Sequence, residues 1–146
     1  MADFLVDANI LVYALDARDP FKLSRAGQVL DLLVQSDRGA LSAQTLSEFF
    51  ASTQRKRILP HDIAEAAVAD LVRSWPVFDV TSDAVTDAIR GVRLYGFSYF
   101  DSLLWATAKE NGIPTILSED GQDAQVIEGV QRRNPLLAGF DVGLLE

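Results

Sequence analysis

Residues 4–16 read FLVDANILVYALD, from Phe4 to Asp16. The run is apolar enough for burial, yet it carries an aspartate and an asparagine two positions apart. The segment "DFLVD" is a short β-branched and aromatic stretch that stops at Asp7, which predicts a buried strand. "NILVYAL" follows as a short helix, and Asn9 suits its start. A strand that hands over directly to a helix, with polar residues at the junction, is the opening of a βα unit.

Working outward, the same alternation continues. In "PFKLSRAGQVLDLLVQSD", Leu23, Ala26, Leu30, Leu33 and Val34 fall at helical spacing, and "RG" ends the segment. "ALS" is a short strand. From about Ser42, "SAQTLSEFFASTQRKR" sets Leu46, Phe49 and Phe50 on one helical face, with Glu48 pointing elsewhere. A further helix runs from "LPHD" to about Ser74, carrying Ile63, Ala67, Val68, Leu71 and Val72. "PVFDV" is a strand. "TSDAVTDAIRGVRLYG" is a helix capped by Thr81 or Ser82 and stopped by Gly96. "SYFDSLLWATAKENG" is a helix with Ser98 at its N-cap and "NG" at its close, and "IPTILSED" is a strand ending at Ser118. The remainder adds an edge strand before a tail. Strands alternating with helices imply an α/β sandwich with a mainly parallel sheet covered on both faces. Residues 1–146 carry no linker and no repeat, so one domain is expected.

Composition narrows the function. There is no cysteine and one histidine, His61, which excludes disulfides and thiolate metal sites. No apolar run approaches the roughly 20 residues needed to span a bilayer, so a cytoplasmic protein without membrane association is expected. The formal net charge of −8 argues against electrostatic coating of nucleic acid. It permits a carboxylate cluster that holds a cation, or an acidic surface for a basic partner. The cations group at Arg55–Arg57 and at Arg132–Arg133; solvated element ends are the plain reading of both groups, and the first is also a candidate for phosphate contacts. The sequence has neither a Gly-x-x-x-x-Gly-Lys loop nor a Gly-x-Gly-x-x-Gly turn, and no Gly-x-Ser-x-Gly elbow.

Four acids sit at element boundaries or interrupt apolar surroundings: Asp7, Glu48, Asp101 and Asp120. Each has an ordinary reading. Asp7 can cap a helix, Glu48 can be an exposed helix residue, Asp101 can be the acidic arm of a capping box with Ser98, and Asp120 can hold an Asx turn. Their combination carries more, because ligands of parallel sheets bind beyond the carboxyl ends of the strands, where Asp7 and Asp120 belong. Converging carboxylates repel unless a cation lies between them. Hard oxygen ligands without cysteine favour Mg²⁺ or Mn²⁺. Such a site suits phosphodiester hydrolysis by metal-activated water.

With these residues in place, "VDANILVYALD", "LSAQTLSEFF", "GFSYFDSLLWATAKENG" and "TILSEDGQD" resemble the four acidic motifs of PIN domains. More narrowly they resemble VapC-like ribonuclease toxins of type II toxin–antitoxin pairs. The resemblance implies a PIN-like α/β/α sandwich and an Mg²⁺- or Mn²⁺-dependent endoribonuclease acting on RNA. It implies that Asp7, Glu48, Asp101 and Asp120 are the catalytic, metal-holding quartet, with Asn9 and Ser118 in support and Asp123 as a less certain addition. It further implies a homodimer and a cognate antitoxin. Two other readings stand beside it: an inactive PIN-like binding module, and a HAD-like phosphotransfer enzyme. The second is weakened by Asn9, which cannot act as the acid that chemistry places two residues after its nucleophile. The apolar C-terminal "PLLAGFDVGLL" reads as an edge strand on the core or as part of an interface.

Overall fold

The computed structural model describes residues 2–146. Strand β1 (Phe4–Val6) leads straight into helix α1 (Ala8–Tyr13), then α2 (Pro20–Ser36), β2 (Gly39–Ser42), α3 (Ala43–Arg55) and α4 (His61–Ser74). The chain continues through β3 (Val77–Phe78), α5 (Ser82–Tyr95), α6 (Tyr99–Glu110), β4 (Thr115–Leu117), β5 (Val126–Ile127), β6 (Val130–Arg133) and a 3₁₀ turn (Val142–Leu145). The strands form one sheet in the order β3-β2-β1-β4-β6-β5, parallel throughout except for β5, which runs antiparallel to β6.

Period-two alternation in three short strands divides the core into two layers. Phe4, Val6, Leu41 and Leu117 face one side, where α1 to α4 pack; Leu5, Ala40 and Ile116 face the other, against α5 and α6. Every residue of β1 is buried, as befits the central strand of a sheet covered on both faces. Chain order runs outward from β1 in opposite directions, through β2 on one side and β4 on the other. The crevice beyond the carboxyl ends of β1 and β4 is therefore the topological switch point of the sheet.

Several local expectations shift. Of the two residues suited to the start of α1, Asp7 is the cap, its carboxylate accepting the Ala8 N–H, and Asn9 falls inside the first turn. Helix α2 ends one residue before "RG", on Asp37 in the left-handed conformation (φ 58°). Val34, Ile63 and Val72 are exposed, because α2 and α4 are outer helices buried on narrower stripes than their apolar spacing allows. Residues 126–133 form a hairpin in which β6 is internal and β5 is the edge. The C-terminal segment is not a strand: Leu136, Phe140 and Leu145 are buried, and Arg25 and Arg38 donate to its carbonyls. Among the described residues no helix is long and apolar enough to cross a membrane.

Candidate active site

The polar pair in the opening stretch serves two distinct ends. Asp7 follows β1 and is 6% exposed. One of its oxygens accepts the Ala8 N–H at 2.7 Å and the other accepts the Ser118 hydroxyl at 2.7 Å. Asn9 lies in the first turn of α1 and reaches across to the segment after β4. Its Nδ2 donates to Ser118 Oγ (3.2 Å) and to Asp120 Oδ2 (3.3 Å), while its Oδ1 accepts the Glu119 N–H (3.3 Å). Ser118 also accepts the Asp120 N–H at 3.0 Å, so its hydroxyl donates once and accepts twice. That saturates its hydrogen-bonding capacity and fixes its orientation.

Asp101 arrives from the first turn of α6. The Ser98 side chain makes no capping hydrogen bond, so the alternative reading of Asp101 as the arm of a capping box does not hold. Asp101 instead contributes to a cluster in which one oxygen from each of Asp7, Asp101 and Asp120 lies within 4.8 Å of the others. Glu48 stands beside this trio. Thr45 roots α3 at the end of β1, its hydroxyl donating to Val6 O at 3.1 Å, which brings Glu48 to the crevice one turn later. Gln44 Nε2 donates to Glu48 Oε1 (3.3 Å) and to Phe100 O (2.8 Å), tying α3 to the start of α6.

The electrostatics follow from this crowding. The Asp7 carboxyl is pushed above its ordinary range, chiefly by burial; its hydrogen bonds from Ser118 and Ala8 oppose the shift, and the charges of Asp101 and Asp120 add to it. Glu48 is likewise raised by burial, against its hydrogen bond from Gln44, with Asp7, Asp101 and Asp120 contributing repulsion. Carboxylates brought together in this way, all with hard oxygen donors, fit a divalent cation of the Mg²⁺ or Mn²⁺ type.

A family model for the PIN domain matches residues 4–127. The chain belongs to the PIN domain family. Solved structures similar to this PIN domain include a toxin–antitoxin complex from Klebsiella pneumoniae, 18% identical, covering 92% of this chain and 98% of that one, with TM-score 0.65. A second is VapC20 of Mycobacterium tuberculosis, described as a sarcin–ricin-loop-cleaving toxin: 22% identical, covering 81% and 90%, TM-score 0.65. A third is DNA-bound VapBC from Salmonella typhimurium, 16% identical, covering 92% and 99%, TM-score 0.67. At these identities the likeness is one of fold. No curated protein matches the sequence.

In this PIN domain Asp7, Asp120 and Glu48 open into a cleft of about 380 Å³ whose walls also include Asn9, Tyr13, Arg55, Lys56 and Glu119. Arg55 and Lys56, from the first basic group, therefore line it. Asp123 is occupied elsewhere: it accepts the Asn134 N–H at 2.7 Å and faces Arg133 Nε at 3.5 Å. His61 is exposed and pairs with Glu65 within α4.

Three partners escaped the reading of the sequence. The Tyr13 hydroxyl donates to Glu119 Oε1 (2.8 Å), and Lys22 Nζ meets Glu119 Oε2 at 2.5 Å. Gln44 supports Glu48. Tyr13 lies four residues after Asn9 and Gln44 four before Glu48, so helical spacing could have nominated both. Lys22 lies 97 positions from Glu119 and carried no such signal.

Proposed function

We propose that this PIN domain is a divalent-cation-dependent endoribonuclease and the toxin of a toxin–antitoxin pair. The convergence of Asp7, Asp101 and Asp120 on one point at the switch of the sheet carries the reading. Those three carboxylates would hold the cation. When bound, such an ion lowers the pKa of a coordinated water and offsets charge on a phosphodiester. Glu48, half-buried at the edge of the cluster, would orient the attacking water or hold a second ion. Ser118 and Asn9 keep the Asp7 and Asp120 carboxylates in register. No protein nucleophile is needed.

Lys56 and Arg55 are exposed at the cleft wall and make no ion pair among the described residues, which leaves them free for phosphate oxygens of RNA. Toxin–antitoxin and VapBC complexes among the structures of like fold support a small antitoxin partner, and a homodimer is part of the same reading.

The test is cleavage of a mixed cellular RNA pool by wild type and Asp101→Asn, with Mg²⁺ or Mn²⁺ and with EDTA. Discrete fragments are expected from wild type with metal alone, and both proteins should melt cooperatively. An active Asp101→Asn enzyme, or equal cleavage in EDTA, would overturn the assignment. A folded wild type that leaves the RNA intact would favour an inactive binding module.

A further inference from the structure

Arg132 contradicts the reading of its "RR" pair as a solvated strand end: it is 5% exposed. A buried guanidinium remains charged, and burial of an unpaired charge is unfavourable. Yet no carboxylate lies within ion-pair distance of it among the described residues, and its Nη1 is buried there without a hydrogen-bond partner. What it does touch is specific. Register pairs it with Ile116 of β4, and from there Nη2 donates to the backbone carbonyl of Asp101 at 2.9 Å. The guanidinium lies 5.8 Å from the centre of the Phe97 ring. Its aliphatic shaft passes Gly121, the neighbour of Asp120, so closely that a Cβ at position 121 would stand 3.0 Å from Arg132 Cδ. Its backbone bonds both ways with the same loop, accepting Ala124 N–H (2.7 Å) and donating to Gln125 O (2.9 Å).

The Arg132 side chain thus ties down the start of α6 by a hydrogen bond and packs along the loop after β4 beside Asp120, a loop its backbone also holds, so it lies between two of the three segments that bring carboxylates together. We propose that Arg132 is a positioning residue for the acid cluster, holding Asp101 and Asp120 at the separation from which they bind a divalent cation. The inference rests on the metal-site reading above. It makes a prediction opposite in sign to that of simple electrostatics. A fixed positive charge behind the cluster repels an incoming cation, so loss of charge alone would tighten binding. Loss of the brace weakens it.

The experiment is calorimetric titration of Mn²⁺ into metal-stripped wild type, Arg132→Met, Arg132→Gln and Arg132→Lys, at a temperature where circular dichroism shows each folded. Outer partners of metal ligands typically carry 10- to 100-fold in affinity, so about tenfold weaker binding is expected for Met and Gln. Lysine keeps a donor on a chain of similar reach but lacks the planar fork, so its affinity should fall between those of wild type and methionine. Arg132→Gln serves if Arg132→Met does not fold. Wild-type or tighter affinity in either folded neutral variant would overturn the inference alone, as would a lysine variant no better than methionine. A wild type that takes up no Mn²⁺ would overturn the metal-site reading and this inference with it.

Discussion

Asp7 holds its carboxylate where ionisation is least favoured, under cover and beside two other acids. Its raised pKa has a definite sign in the linkage between folding and pH. In the folded, metal-free chain Asp7 binds a proton more readily than in the unfolded chain. Its contribution to stability is therefore fully present below the unfolded carboxylate pKa and is lost as pH rises through the folded value. Asp16 and Glu128 act in the opposite sense: Arg18 and Arg90 hold their carboxyls down at about 2, so their contributions are present at neutral pH and disappear only in strong acid. Comparison with Asp7→Asn isolates the residue. In EDTA the melting temperature of wild type should fall relative to that of the variant as the Asp7 carboxyl ionises. The gap should grow as pH rises from about 4 and flatten above the folded pKa. Saturating Mn²⁺ should reverse it, since wild type then gains binding energy that the variant lacks. A melting difference that ignores both pH and Mn²⁺ would remove Asp7 from the cluster's energetics.

Among the elements, α5 and α6 form the tightest pair. Gly91 permits it: a Cβ there would stand 2.9 Å from Trp105 Cζ3 and would crowd Ser102 Oγ, which donates to Ala88 O across the same contact. Gly91→Ala should separate the helices and lower stability by about 1–3 kcal/mol, the usual range for overpacking. Urea denaturation measures it, and an unchanged midpoint would show that the helices part freely. Helix α6 was legible from its ends, Ser98 and the closing Asn-Gly, since seven consecutive residues from Ser102 to Ala108 are buried and leave no one-sided stripe. Apolar spacing misled on α4, where Ala64 alone is fully buried and Ile63 and Val72 face solvent. Apolar spacing reports that a helix has a face; it does not report how much of that face a neighbour covers.

For the whole molecule, the proposed ribonuclease activity requires an acidic chain to attract a polyanion. A net charge of −8 sets a repulsive background, against which Arg55 and Lys56 are placed on the cleft wall. Lys56→Ala should raise KM for RNA several-fold with kcat little changed, as for a group that binds ground and transition states alike. It should also make cleavage less sensitive to salt, because one phosphate contact fewer means fewer counterions released. A fall in kcat at constant KM would instead put Lys56 in the chemistry.

The sequence by itself determined the βα alternation, the start of α3 near Ser42, a cap at Thr81 or Ser82, the αL stop at Gly96 and the acids Asp7, Asp101 and Asp120 as candidates to come together. These signals act over a turn of helix or a pleat of strand, so a short window contains them. Tertiary structure alone decided that Asn9 would clasp Asp120, that Lys22 would meet Glu119 and that Arg132 would lie buried against Asp101. Those partners stand 111, 97 and 31 residues apart. Their meeting depends on the order β3-β2-β1-β4-β6-β5, and that order is chosen by packing of the whole chain rather than by any segment of it.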